Sequence, residues 1–174
     1  MITNLRQRLL TLFLVAGGVI VVDQLTKLWV VENLRLYETI SPIPFLHPFF
    51  RITHSYNTGI AFGLWSDNGI FFQFLTSFIM LGLLGYYLLT KYHSLLIRVA
   101  LSLVIGGGIA NVIDRIQHGH VIDFVHFTIG SISNISNIAD HAIVIGIIVL
   151  LIESIRLEQI EKRNNPEAEN KSDF

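Results

Sequence analysis

Two aspartates stand where a carboxylate is expensive to keep. Asp123 lies in Val121-Ile122-Asp123-Phe124, between apolar neighbours, and Asp140 closes Asn137-Ile138-Ala139-Asp140, just ahead of the hydrocarbon run Ala142 to Ile152. The separation of 17 residues lets a chain leave one membrane helix and return by the next, so both carboxylates can converge at one depth. Facing carboxylates in a site of low polarity do not both ionise readily; one pKa rises and the pair holds a single proton. The charged partner can then draw a proton from water while the protonated one polarises a carbonyl, which is the chemistry of aspartic proteolysis. Taken alone, Asp140 is equally compatible with a capping role near the positive end of its own helix.

Further polar groups interrupt the apolar stretches, and each such group inside a span needs a partner or a task. Asp23 and Lys27 are four residues apart, with Gln24 and Thr26 beside them; they share a helix face and can neutralise each other as a structural ion pair. The run Gly106-Gly107-Gly108-Ile109-Ala110-Asn111-Val112-Ile113-Asp114-Arg115 puts Gly107, Asn111, Asp114 and Arg115 on one helical face. Glycines there allow a neighbouring backbone to come close, and Asn111 could serve as interhelical glue. Glue does not call for the Asp114-Arg115 end. Asn137, three residues before Asp140, faces the same way. Together, Asn111, Arg115 and Asn137 tip the reading of Asp123 and Asp140 towards catalysis.

Two rival readings use some of the same residues. His118, His120, Asp123 and His126 supply four potential ligands for a metal-dependent membrane hydrolase, although no His-Glu-x-x-His pattern accompanies them. Intramembrane aspartates also serve proton-coupled transporters, but the chain shows no internal repeat of the kind that marks many of them. A serine nucleophile turn of the Gly-x-Ser-x-Gly type is absent. The favoured reading requires no metal and no cofactor.

The elements that must position these groups are membrane helices. Of the 174 residues, 52% are hydrophobic and 14% charged, against roughly 25% charged in ordinary soluble domains; mean hydropathy is +0.58. A net charge of −1 argues against a basic nucleic-acid binder. The lack of cysteine excludes disulfides, thiolate catalysis and lipid attachment to a cysteine of this chain. A span takes about 20 apolar residues, and four segments fit: 9–31, 69–89, 95–113 and 138–155. Eight of the twelve lysines and arginines lie before the first span, around the connection between the second and third (Lys91, and Arg98 at the start of the third), or after the fourth. Both termini are therefore expected in the cytoplasm, with loops 32–68 and 114–137 outside. Trp29 and Trp65 suit an interfacial belt. The apolar character resumes after Asp23, so the first span reads as uncleaved rather than as a secretory signal. The proline-broken first outer loop suggests short strands over Phe45 to Ile52 and Tyr56 to Trp65, forming a small sheet on the membrane surface. The polar tail 156–174 reads as a frayed helical extension followed by disorder. The expected fold is an all-α membrane protein with a small β element, one integral membrane domain over 1–174.

With these motifs in order, the chain resembles bacterial lipoprotein signal peptidase (signal peptidase II). The resemblance rests on Asp23-Gln24-x-Thr26-Lys27, Asn57-x-Gly59-x-Ala61-Phe62, Gly106-Gly107-x-x-x-Asn111-x-x-Asp114-Arg115, Val121-Ile122-Asp123-Phe124 and Asn137-x-Ala139-Asp140. It implies an inner-membrane aspartic endopeptidase, with its site towards the outer face, that removes the signal peptide of a diacylglyceryl-modified prolipoprotein before the lipid-modified cysteine. Asp123 and Asp140 become the catalytic dyad; Asn57, Asn111, Arg115 and Asn137 support the dyad or the substrate; Asp23, Lys27 and Asp114 are structural. The first outer loop becomes an extracytoplasmic β-sheet platform. The implied partners are the prolipoprotein and membrane lipid, with the enzyme a monomer. The sequence departs from the family at Ala110, where glycine is usual, and at Ser136, where phenylalanine is usual; the second change removes apolar contact beside the dyad.

Overall fold

The computed structural model describes residues 4–58, 69–90 and 94–164. Four helices carry the chain: α1 (Leu5–Asn33), α2 (Gly69–Leu89), α3 (Leu95–His118) and α4 (Ile138–Asn164). Three of them, α1, α3 and α4, are long and apolar enough to cross a membrane. α2 is 21 residues long, and its stretch Phe74–Leu89 forms a shorter apolar helix. Large apolar side chains such as Phe13 (76% exposed) and Phe78 (75%) point outward, as expected when the surrounding solvent is lipid. The helices outrun the apolar segments read from sequence. α3 continues through Asp114 and Arg115 to His118, and α4 continues through the polar stretch to Asn164. The expected disorder beyond that point, Trp65, and Gly59, Ala61 and Phe62 of the second motif lie outside the described residues.

Helix ends follow from local chemistry. Asn4 caps α1 in a reciprocal capping box with Gln7. Ser94 caps α3, which ends in Gly119 at φ 77°, a left-handed conformation glycine adopts without penalty. The α3 triplet explains how the bundle packs. At about 100° per residue, consecutive glycines face three directions. A Cβ on Gly106 would lie 2.7 Å from Ala16 Cα on α1; one on Gly107 would strike the Ala139 carbonyl of α4; one on Gly108 would strike Met80 of α2. α3 is thus the hub, and α1 and α2 make their main contacts with it rather than with each other.

The sheet is larger than the first loop alone would make it. It is antiparallel in the order β1 (Thr39–Ile40), β2 (Phe50–Asn57), β3 (Val121–Ile129), β4 (Ile132–Ser136). Half of its strands therefore come from the second outer loop, 114–137, where no strand is expected from sequence. Within the first loop, Pro44–Leu46 form a 3-10 turn rather than strand. β2 runs across the expected gap between Ile52 and Tyr56, and the remainder of the expected second strand is outside the described residues. β3 and β4 join through a two-residue turn led by Gly130 at φ 60°, a geometry that matches strand twist. Val30 of α1 and Leu34, the residue just past its end, pack on Phe124 and Val125 of β3, with Ile40, Phe50 and Ile52 beside them. This apolar contact fastens the sheet to the mouth of the bundle.

Candidate active site

The site lies where β3, α3 and α4 meet. Along β3, Asp123 lies two residues from Val121 and Val125 and so shares their face of the sheet. The β2–β3 register shifts between Ile52 and Ser55, after which Ser55 pairs with Asp123 and Asn57 with Val121. Such an irregularity re-aims side chains, and past it Asn57 Nδ2 donates to Asp123 Oδ2 at 2.9 Å. The other oxygen of Asp123 accepts from Asn137 Nδ2 at 2.7 Å.

Asn137 stands just before α4 and performs several tasks. Its Oδ1 accepts from the Asp140 backbone N–H at 2.8 Å, an N-cap bond to the third helical residue. Its amide nitrogen also reaches Asn111 Oδ1 at 3.2 Å. Asn111 Nδ2 in turn donates to Asp140 Oδ1 at 2.8 Å. The two aspartates are thus joined by two asparagines in one chain of hydrogen bonds. Asp140 is not merely the cap of its own helix, since that cap is Asn137. Arg115 donates to the Asn111 carbonyl at 3.4 Å and lies within electrostatic reach of Asp140, Asp123 and Asp114.

Behind this pair is a second buried layer. Lys27 Nζ is 2.7 Å from Asp23 and 2.6 Å from Asp114, and donates to Asn111 Oδ1 at 3.2 Å. The expected Asp23–Lys27 pair is present, and it belongs to a larger group. Asp23 Oδ1 accepts from the Ala139 N–H at 2.8 Å, so a carboxylate of α1 satisfies the first turn of α4. Asp114 accepts from the Ile122 N–H at 3.1 Å and from Gln24 Nε2 at 2.7 Å, which fixes the start of β3 next to Asp123. Sequence reading placed Gln24 beside the ion pair without a task; its polarity inside an apolar run was the available signal. The capping of α4 by Asp23 had no sequence signal, because the two are 116 residues apart.

Burial, first, pushes the Asp123 carboxyl up from 3.8 to about 7, and the Asp140 charge pushes the same way; the hydrogen bonds from Asn57 and Asn137 and the Lys27 charge pull against this. Asp123 is 3% exposed, whereas Asp140 is only half-buried. Asp123 therefore keeps its proton to a higher pH than an ordinary carboxyl does.

The two departures from the family pattern are accommodated. Ala110 is fully buried, and its carbonyl lies 3.5 Å from Gln24 Nε2. Ser136 is buried and replaces lost apolar contact with polar bonds, donating to the Val125 carbonyl at 3.4 Å and pairing with His141 Nε2 at 3.2 Å. The four candidate metal ligands are engaged separately. His120 stacks on Tyr56 at 3.9 Å between centroids, His118 lies 6.0 Å from His120, and His126 bonds Thr53 and Ser133 on the sheet. Among the described residues no group of three or more His, Asp or Glu could hold a metal ion.

Paired aspartates bridged by amides at the mouth of an apolar helix bundle define an aspartic-type peptidase of the membrane. The family model described as signal peptidase (SPase) II matches residues 15–156. A lipoprotein signal peptidase of Xylella fastidiosa (strain M12) is 43% identical over 142 residues, covering 78% of this chain and 82% of that protein. One of Shewanella sediminis (strain HAW-EB3) is 36% identical over 176 residues, covering 97% and 96%. A solved structure of a bacterial membrane enzyme, obtained by the in meso method at 2.3 Å resolution, superimposes with a TM-score of 0.76 at 33% identity, over 84% of this chain and 88% of that one. The chain belongs to the signal peptidase II family. It is a bacterial membrane peptidase, and its work is the processing of prolipoproteins.

Proposed function

We propose that Asp123 and Asp140 form the catalytic dyad and that the bond cut is the one before the lipid-modified cysteine of the prolipoprotein. The observation that carries this reading is the continuous link Asp123–Asn137–Asn111–Asp140, which ties two carboxyls from different elements into one unit. Asp140, the more open of the two, takes a proton from water as the water oxygen attacks the scissile carbonyl. Asp123, whose buried carboxyl keeps its proton near neutral pH, gives that proton to the carbonyl oxygen. Collapse of the tetrahedral intermediate returns a proton to Asp123 and delivers the other to the leaving amine. Asn57, Asn111 and Asn137 hold the dyad, and Arg115 provides the nearby positive charge.

Topology supports the same scheme. Positive charge gathered before α1 and after α4 favours cytoplasmic termini, which sets the sheet and dyad at the outer face and counts α2 as a fourth span. A substrate anchored by its own signal helix and lipid can then enter sideways between apolar helices, meeting water only at the dyad. We assign the whole chain, 1–174, to one membrane domain acting as a monomer, without nucleic acid.

The test is cleavage of a lipid-modified precursor by purified protein. Asp123→Asn and Asp140→Asn, each alone, are expected to abolish cleavage while the protein still inserts and unfolds in a single cooperative transition in detergent. Full cleavage by either variant refutes the dyad.

A further inference from the structure

We propose that Lys27 is a positioning residue for peptide cleavage: held between Asp23 and Asp114, its ammonium fixes which way the Asn111 amide faces and, through Asn111, which way Asn137 faces. The proposal rests on the dyad reading above.

A carboxamide has an accepting end and a donating end, and its neighbours decide which end faces a given group. Asn111 Oδ1 lies 3.2 Å from Lys27 Nζ. An ammonium only donates, so the oxygen end must face it, and the NH2 end is left for Asp140 at 2.8 Å. The same oxygen accepts from Asn137 Nδ2 at 3.2 Å. That turns the NH2 of Asn137 towards Asp123 and leaves its oxygen for the Asp140 backbone N–H. One cation thereby sets two amides so that each presents N–H to a dyad carboxylate. Were Asn111 reversed, its oxygen would oppose the Asp140 carboxylate and Asn137 would lose an acceptor.

The surroundings of Lys27 fit this task better than simple neutralisation. One carboxylate would balance one ammonium, yet two flank it, at 2.7 and 2.6 Å. These two ion pairs hold the ammonium in place, and among the described residues the hydrogen bond it donates is the one to Asn111 Oδ1. Lys27 is 2% exposed and so does not need to reach substrate to act. The charged groups that face it are Asp23 from α1 and Asp114 from α3, in contact, and Asp123 from β3, within electrostatic reach. Its charge also lowers the Asp123 pKa, which links it to the proton of the dyad.

Lys27→Met/Asp114→Asn preserves the formal charge of the buried group, because one cation and one anion leave together, and Asp23 still caps α4. With the full chain in detergent and a lipid-modified precursor peptide, this variant is expected to melt as a folded protein. Its kcat should fall about 100-fold, the scale of loss when a reacting group is misplaced by an ångström, with KM little changed. The limb of the pH–rate profile set by Asp123 should move to higher pH. Adding the same pair of changes to Asn111→Ala should reduce kcat little further, because the effect runs through Asn111. A folded variant with undiminished kcat and an unmoved profile overturns the proposal, as do losses that simply add. Should the methionine variants fail to fold, Lys27→Arg decides: its guanidinium can still donate to Asn111, so a folded but inactive arginine variant overturns the idea. If instead Asp123→Asn or Asp140→Asn cleaves fully, it is the dyad reading that fails.

Discussion

Replacing Asp123 by asparagine should change how stability depends on pH, and the size of the change follows from the geometry. The folded carboxyl titrates at about 7, against 3.8 for an ordinary one. A raised folded value means that the folded state holds its proton longer than the unfolded chain. Between pH 3.8 and about 7 the unfolded state gains from ionising while the folded state cannot, so stability drains away as pH rises through that window. The penalty is small at pH 4 and complete above about 7. From pH 5 to pH 8 the linkage relation gives about 3 kcal/mol of lost stability. Surface screening does not reduce it greatly, since Asp123 is 3% exposed. Asparagine cannot ionise and has no such slope. It does place an NH2 near two donors, Asn57 and Asn137, costing about 1–3 kcal/mol at every pH. The diagnostic quantity is therefore the difference between variant and wild type at the two pH values, from which this constant term cancels. Thermal melts in detergent should show Asp123→Asn gaining roughly 6–12 °C on the wild type between pH 5 and pH 8, at about 2–4 °C per kcal/mol for a chain of this size. An equal offset at both pH values would mean that Asp123 ionises like an ordinary surface carboxylate, and the account of its retained proton would collapse.

Two further outcomes test the scaffold. Gly107→Ala would drive a methyl against the Ala139 carbonyl and to 2.8 Å from Ile143 Cγ1; the misfit should displace the first turn of α4 and lower both melting temperature and turnover, read by the same melts and by precursor cleavage. Asp23→Ala removes the acceptor for the Ala139 N–H and one carboxylate from buried Lys27, with an expected loss of about 3–5 kcal/mol; turnover per folded molecule should fall less than stability does, and an unchanged melt with lost turnover contradicts that.

The helices were legible because apolar runs of membrane length have few other uses, and the apolar segments located all four. Their ends were less so: α3 continues beyond its greasy segment because intrahelical bonding does not stop where lipid-compatible side chains stop, whereas the helical extension of α4 into the polar tail was expected. Asp123 and Asp140 announced themselves by being carboxylates among hydrocarbon, and Asn111, Arg115 and Asn137 by their helical spacing. Asn57 came from resemblance alone, since an asparagine in a loop carries no periodic signal and its bond to Asp123 depends on the pairing of strands from two different loops. That pairing is also why the sheet outgrew its expected boundary. Val121 to Ile129 is as apolar as a re-entrant segment, and only its partners on β2 and β4 distinguish it as strand. The capping of α4 by Asp23 was hidden for the same reason, being a long-range bond between groups whose local surroundings are unremarkable.

The three glycines of α3 also bear on how the molecule comes into being. Each opens a berth for a different neighbour, and α1 and α2 meet mainly through that shared post. Among the described residues the two are clasped where Arg8 bonds the Leu88 and Thr90 carbonyls and Tyr87 bonds the Arg8 carbonyl. The packing that brings the first two helices together is thus supplied by a segment later in the chain, which couples the assembly of the bundle to the arrival of its third helix.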